Sequence, residues 1–248
     1  MSELTKLSSS WRSERMHREA KLVRWGTFGK PVLVFPTAGG DCEEIERMHL
    51  VGALRPLIEA EKIKVYSCDS VAGRAMIEQE GTPAHRMWLQ NMFHQYVRHE
   101  VVPAIRTDCK SDDIGVIAAG SSIGAFHAAA MVCRFPNVFT HALAASGTYK
   151  IERFFGTQEV TDDYVVSSPM RFLPGMGPGP NLDMLRTRFI LIPSGEGRAE
   201  DIGESWALAN VLGAKGIPNR VDSWGAEWNH DWPTWRKMFP QYLAEWAP

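Results

Sequence analysis

The pentapeptide Gly120-Ser121-Ser122-Ile123-Gly124 constrains the fold more than any other stretch of the chain. It lies between Ile114-Gly115-Val116-Ile117-Ala118, which reads as a buried strand, and the Ala-rich run Ala125 to Val132, which reads as a helix. A G-x-S-x-G turn in that setting bends a strand sharply into a helix, with the serine at the bend. Glycines flank it because β-carbons there would collide with the neighbouring strand and helix. The bend exposes the Ser122 hydroxyl at the positive end of a helix dipole. Alone the pattern is weak; its strand-to-helix context gives it weight.

The rest of the chain agrees with an α/β sheet, since short apolar runs alternate with longer helical patterns. Lys21 to Trp25, Pro31 to Phe35, Lys64 to Ser67, Asp113 to Ala118, His141 to Ala145, Arg188 to Pro193 and Arg220 to Trp224 read as strands. Ile45, Met48, Val51, Leu54 and Ile58 recur at helical spacing, with Pro56 a late breaker. A long helix is expected from about His85, another over Ser205 to Leu212, and a last one after Asp231, which can cap it, with Pro233 in the first turn. The expected product is one domain over 1–248: a mostly parallel central sheet with helices on both faces and no large lid. Residues 1–20 are expected to form a peripheral N-terminal segment, and 147–186 a loop-rich insertion near the active site.

Composition removes several function classes. The 248 residues carry a formal charge of -2, so no strongly basic face for nucleic acid or an anionic membrane is expected. No stretch is apolar and long enough to span a bilayer, and the polar N-terminus lacks a signal-peptide core. The four cysteines form no CxxC pair and read as free thiols of a cytoplasmic protein. Gly175-Met176-Gly177-Pro178-Gly179 is proline-broken and lacks the strand-to-helix setting that phosphate binding requires.

A serine hydroxyl needs a neighbouring base. Of the eight histidines, His17, His49, His85, His94, His99, His127 and His141 read as surface or core residues without a zinc-site spacing. His230 follows the last expected strand, where the strand ends of such a sheet converge on the nucleophile, and is the expected base. The acid that orients it should follow Arg188–Pro193. Glu196, Glu200 and Asp201 all lie in that loop, and spacing alone does not separate them.

Several segments resemble the putative-esterase family of α/β-hydrolases, to which carboxylesterases and mycolyltransferases are related. They are Pro31-Val32-Leu33-Val34-Phe35-Pro36-Thr37 with Gly39-Gly40, Gly124-Ala125-Phe126-His127, Ser146-Gly147-Thr148-Tyr149 and His230-Asp231-Trp232-Pro233. The resemblance runs from about Leu22 to Leu243. It implies the α/β-hydrolase fold, a Ser-acid-His triad, no metal or other cofactor, and acyl-ester chemistry on a small-molecule substrate. It also ranks Glu200 first as the acid, Glu196 second and Asp201 third. Many relatives carry Met-Gly-Gly after the serine where this chain has Ile123-Gly124-Ala125, which keeps the bend but alters the pocket beside it.

An oxyanion hole needs two preorganised N–H donors. One is expected from the Ile123 amide and the other from the loop after Pro31–Phe35, where Ala38, Gly39 and Gly40 all remain candidates. The expected reaction is hydrolysis of small or short-acyl esters through an acyl-enzyme. An acyltransferase with the same triad and a non-catalytic binding protein of the same fold are the alternatives. Phe154, Phe155, Tyr164 and Met170 either wall an apolar acyl pocket or pack under the loop, and the sequence leaves both open. Oligomeric state is not legible.

Overall fold

The computed structural model describes residues 4–247. Eight strands form one sheet: β1 (Lys6–Arg12), β2 (Glu19–Trp25), β3 (Lys30–Phe35), β4 (Ile63–Cys68), β5 (Val116–Ser121), β6 (Phe139–Ala145), β7 (Phe189–Ser194) and β8 (Asn219–Ser223). Their order is β1-β2-β4-β3-β5-β6-β7-β8. β2 pairs antiparallel with both β1 and β4, and every other neighbouring pair is parallel.

Successive side chains of a strand face opposite sides of a sheet, and this alternation sorts the core into two layers. Leu33, Phe35, Ala118, Ala142, Ala144, Ile190 and Ile192 join one cluster, covered by the helices Pro83–Tyr96, Ile123–Arg134 and Ile202–Ala214. Val32, Val34, Ile117, Ala119, Leu143, Ala145 and Leu191 join the other, covered by Leu50–Glu59 and Trp232–Trp246. Strands buried on both faces read as continuous apolar runs, and for that reason β3 to β7 stand out in the sequence. The parallel strands β3, β5, β6, β7 and β8 all end at the same edge of the sheet, so the loops that follow them share one rim.

Some elements differ from the sequence reading. β1 was not anticipated: its residues are almost all exposed, with no apolar alternation, and only its ladder to β2 from Lys6↔Trp25 to Arg12↔Glu19 defines it. The helical spacing over 45–58 resolves into two helices, Glu44–Arg47 and Leu50–Glu59, because His49 between them adopts φ 62. Pro56 does not end the second, which runs on to Glu59. The helix expected near His85 starts at Pro83, capped by Thr82, whose side chain accepts from the His85 N–H at 3.1 Å. Among the described residues no helix is long and apolar enough to cross a membrane, and Cys42, Cys68, Cys109 and Cys133 are all free.

Candidate active site

Ser122 stands between β5 and the helix Ile123–Arg134 at φ 58, ψ −122, a left-handed backbone that is costly for a residue with a β-carbon. Gly120 and Gly124 make the bend possible. A Cβ on Gly120 would run into the backbone of Gly124, and one on Gly124 would lie 2.5 Å from Phe35 O and 2.8 Å from Pro36 O. The same close approach seats the end of β3 beside the serine. The Ser122 N–H donates to Ala145 O at 3.1 Å and its carbonyl accepts from the Thr148 N–H at 3.2 Å, so the bend is clamped by the end of β6.

The three carboxylates after β7 have separate fates. Glu196 is exposed and accepts from the Ser223 hydroxyl. Asp201 is exposed and caps the helix Ile202–Ala214, accepting from the Gly203 N–H at 3.0 Å. Glu200 turns inward, with only 1% of its side chain exposed. Its Oε2 lies 3.2 Å from His230 Nδ1, and its Oε1 accepts from the Ser146 hydroxyl at 2.5 Å.

The loops that carry Glu200 and His230 are laced together. The His230 N–H donates to Arg198 O at 3.0 Å, Gly197 N–H to Trp228 O at 2.9 Å, and Arg198 N–H to Asn229 Oδ1 at 2.7 Å. Gly197 permits this approach, because a Cβ there would lie 2.5 Å from Asn229 Oδ1 and 2.7 Å from two carbonyl oxygens. Beyond His230, Asp231 caps the last helix, its side chain accepting from the Trp232 N–H at 2.7 Å. The Trp235 ring stands edge-on to the imidazole at 5.2 Å. Glu200 and His230 are therefore brought into contact. Among the described residues no hydrogen bond joins the Ser122 hydroxyl to His230, a contact that commonly tightens only with substrate bound.

Of the amides considered for the oxyanion hole, Ile123 opens its helix, where N–H groups have no partner within the helix. In the loop after β3, the Gly40 N–H is consumed by Thr37 O at 3.0 Å, and the Thr37 N–H by Glu44 Oε2 at 2.8 Å. Ala38 and Gly39 keep the amides that the turn does not use.

Of the two readings of the insertion, packing beneath the loop describes two of its aromatics. Phe155 and Tyr164 are fully buried and pack edge-to-face at 5.0 Å within the core, and Phe154 is exposed. Met170 lines a cleft whose other walls are Lys150, Glu152, Arg153, Gln158 and Arg171. His127 is buried beside His94, Nε2 of His94 lying 3.0 Å from Nδ1 of His127, and burial pushes the His127 imidazole down to about 3. Two further residues escaped the sequence reading. Ser146 was quoted only as part of a motif, and its contact with Glu200 spans 54 positions, beyond the reach of any local pattern. Buried Glu204 holds the Tyr149 and Lys150 amides and so fixes the loop after β6.

Comparison with known proteins bears on the family and the architecture. A family model described as Putative esterase matches residues 59–246. No curated protein matches the chain significantly. A ferulic acid esterase superposes with a TM-score of 0.75 at 14% identity, covering 99% of this chain and 98% of that one. An S-formylglutathione hydrolase from Agrobacterium tumefaciens gives 0.72 at 12% identity, covering 99% and 96%. Mycobacterium tuberculosis MPT51 gives 0.66 at 14%, covering 99% and 98%. At such identities the likeness establishes the architecture, which is the α/β-hydrolase fold.

Proposed function

We propose, for a chain that belongs to the Putative esterase family, that Ser122, Glu200 and His230 are the triad of a serine esterase. Ester hydrolysis is the activity class of the family; the residue roles and the substrate are our reading. The observation that carries it is the buried Glu200 carboxylate facing His230 Nδ1 at 3.2 Å, on the rim where Ser122 stands at its strained bend.

In this reading His230 Nε2 takes the Ser122 proton while Glu200 holds the Nδ1 proton and stabilises the imidazolium. Ser122 Oγ attacks the ester carbonyl. The oxyanion is held by the Ile123 amide and by that of Ala38 or Gly39. His230 then protonates the departing alcohol, and a water activated by His230 releases the acid from the acyl-enzyme. Small or short-acyl substrates fit this reading better than long chains, because Phe155 and Tyr164 are spent in the core and do not wall an acyl pocket. Four free thiols support a reducing compartment such as the cytoplasm.

A fluorophosphonate probe followed by peptide mass spectrometry tests the assignment, together with turnover of 4-nitrophenyl esters of increasing acyl length. The expected adduct is on Ser122, with activity falling as the acyl chain lengthens. Ser122→Ala should lower kcat by roughly 10⁴- to 10⁶-fold. A variant keeping more than a few per cent of activity would exclude Ser122 as nucleophile.

A further inference from the structure

The loop after β6 leads from the serine bend into a charged cleft. The Thr148 N–H reaches Ser122 O at 3.2 Å, and Lys150, two residues on, lies within about 8 Å of Thr148 by Cα spacing. The cleft is tied to the oxyanion loop from its other side. Ile77 Cδ1 lies 3.6 Å from where a Cβ on Gly39 would sit. Gln79, two residues further, donates to Phe154 O at 3.0 Å. Phe154 is exposed, and the Arg153 guanidinium lies over its ring at 5.1 Å. The cleft beyond has a volume of about 480 Å³ and is lined by Lys150, Glu152, Arg153, Gln158, Met170 and Arg171.

Its charges are unequally paired. Arg171 directs Nε and Nη2 onto Glu152 Oε1 at 2.8 and 2.6 Å, so those two charges offset each other. Arg153 reaches Glu204 Oε1 at 3.3 Å, but Glu204 is already held by the Tyr149 and Lys150 amides, and 57% of the Arg153 side chain stays exposed. The Lys150 side chain is exposed and has no ion-pair or hydrogen-bond partner among the described residues. Three cations thus meet two carboxylates, Glu152 and Glu204, along the loop that leaves the serine bend. One unbalanced positive charge matches a monoanion, and an arginine fork beside a lysine suits a carboxylate.

We propose that this cleft receives a carboxylate carried by the ester substrate, so that the enzyme selects anionic esters over neutral ones of the same shape. The inference rests on the Ser122 reading above and deepens it. Lys150 and the outward edge of Arg153 bind the carboxylate, and the ester carbonyl then falls between Ser122 and the oxyanion loop. The apolar faces of Ile77 and Phe154 border the path between them.

Two matched ester pairs test it. The 4-nitrophenyl half-ester of adipate against 4-nitrophenyl hexanoate places the carboxylate on the acyl side. 4-Acetoxyphenylacetate against 4-ethylphenyl acetate places it on the alcohol side. In at least one pair kcat/KM for the anionic ester should exceed its neutral partner by about tenfold, the scale of a partly exposed charged contact. That ratio should shrink in high salt and fall to one or below in Lys150→Glu. Fluorophosphonate labelling of Ser122 in the variant reports that its site is still folded. Ratios near one for both pairs in the wild type, or a preference that survives in labelled Lys150→Glu, would overturn the carboxylate subsite while leaving the serine esterase intact. Absence of both labelling and hydrolysis in the wild type would remove the esterase reading and the subsite with it.

Discussion

The Ser146 hydroxyl donates to Oε1 of Glu200 at 2.5 Å, while the other oxygen of that carboxylate faces His230 Nδ1 at 3.2 Å. Ser146 can do this because its backbone is held at φ 48 and its N–H is tied to Pro193 O at 2.8 Å, at the end of β7. A carboxylate with only one partner could rotate; with Ser146 and His230 on opposite oxygens its plane is fixed. With Glu200 as the proposed acid, Ser146 is thus a proposed positioning residue. Ser146→Ala should lower kcat by about 10- to 100-fold, the cost of one hydrogen bond to a buried charge, with little change in KM. Restoration of activity by Ser146→Thr, but not by Ser146→Val, would separate the hydroxyl's role from simple packing.

The acid itself is tested by comparing three variants. Glu200→Gln keeps the shape but removes the charge that stabilises an imidazolium, and a loss of about 10⁴-fold in kcat is expected. Glu196→Gln and Asp201→Asn should stay within a few-fold of wild type, since one is exposed beside Ser223 and the other caps a helix. Steady-state kinetics on one activated ester suffices. A loss in Asp201→Asn as deep as that in Glu200→Gln would sink the assignment.

What could be read from the sequence was whatever depends on short-range pattern. The strand before Ser122 and the helix after it, the position of His230 beyond β8 and the Asp231 cap all follow from contiguous residues. What could not be read depends on who meets whom across the rim. Glu196, Glu200 and Asp201 differ by which way a glycine-rich loop turns, and that is decided by Trp228 and Asn229 on another loop. β1 was invisible because an exposed edge strand needs no apolar alternation. Phe155 and Tyr164 stayed open between two roles because aromatic residues in a loop look alike whether they line a cleft or close the core beneath it.

Gly124 carries a steric prediction that does not involve the chemistry. A Cβ there would lie 2.5 Å from Phe35 O, a backbone atom in a central strand that cannot give way. Gly124→Ala should cost about 3 kcal/mol of stability or more, at the upper end of overpacking effects. Gly52, exposed in the helix Leu50–Glu59, has nothing within 4 Å of its would-be Cβ. Gly52→Ala should therefore stabilise by about 0.5–1 kcal/mol through helix propensity. Chemical denaturation of the two variants checks both signs, and equal effects would refute the steric account.

The buried His94–His127 pair predicts how stability responds to acid. Arg134 Nη1 lies 2.9 Å from His94 Nδ1, and a guanidinium has no acceptor, so that nitrogen carries no proton. The His94 proton is then on Nε2, which faces both His127 Nδ1 at 3.0 Å and the Gln90 side-chain amide at 2.9 Å, and both rings are neutral in the folded protein. Burial holds His127 down at about 3, and burial with the nearby Arg134 charge holds His94 well below its ordinary value of 6.5. In the unfolded chain both rings take up protons below about pH 6.5. Stability is therefore full above that pH and declines as pH falls below it, by about 1.4 kcal/mol per pH unit for each histidine that stays neutral in the folded protein. Urea unfolding at pH 7, 6, 5 and 4 measures the slope, and His127→Gln should remove about one histidine's share of it. An unchanged slope in that variant would mean that His127 is already charged in the folded state.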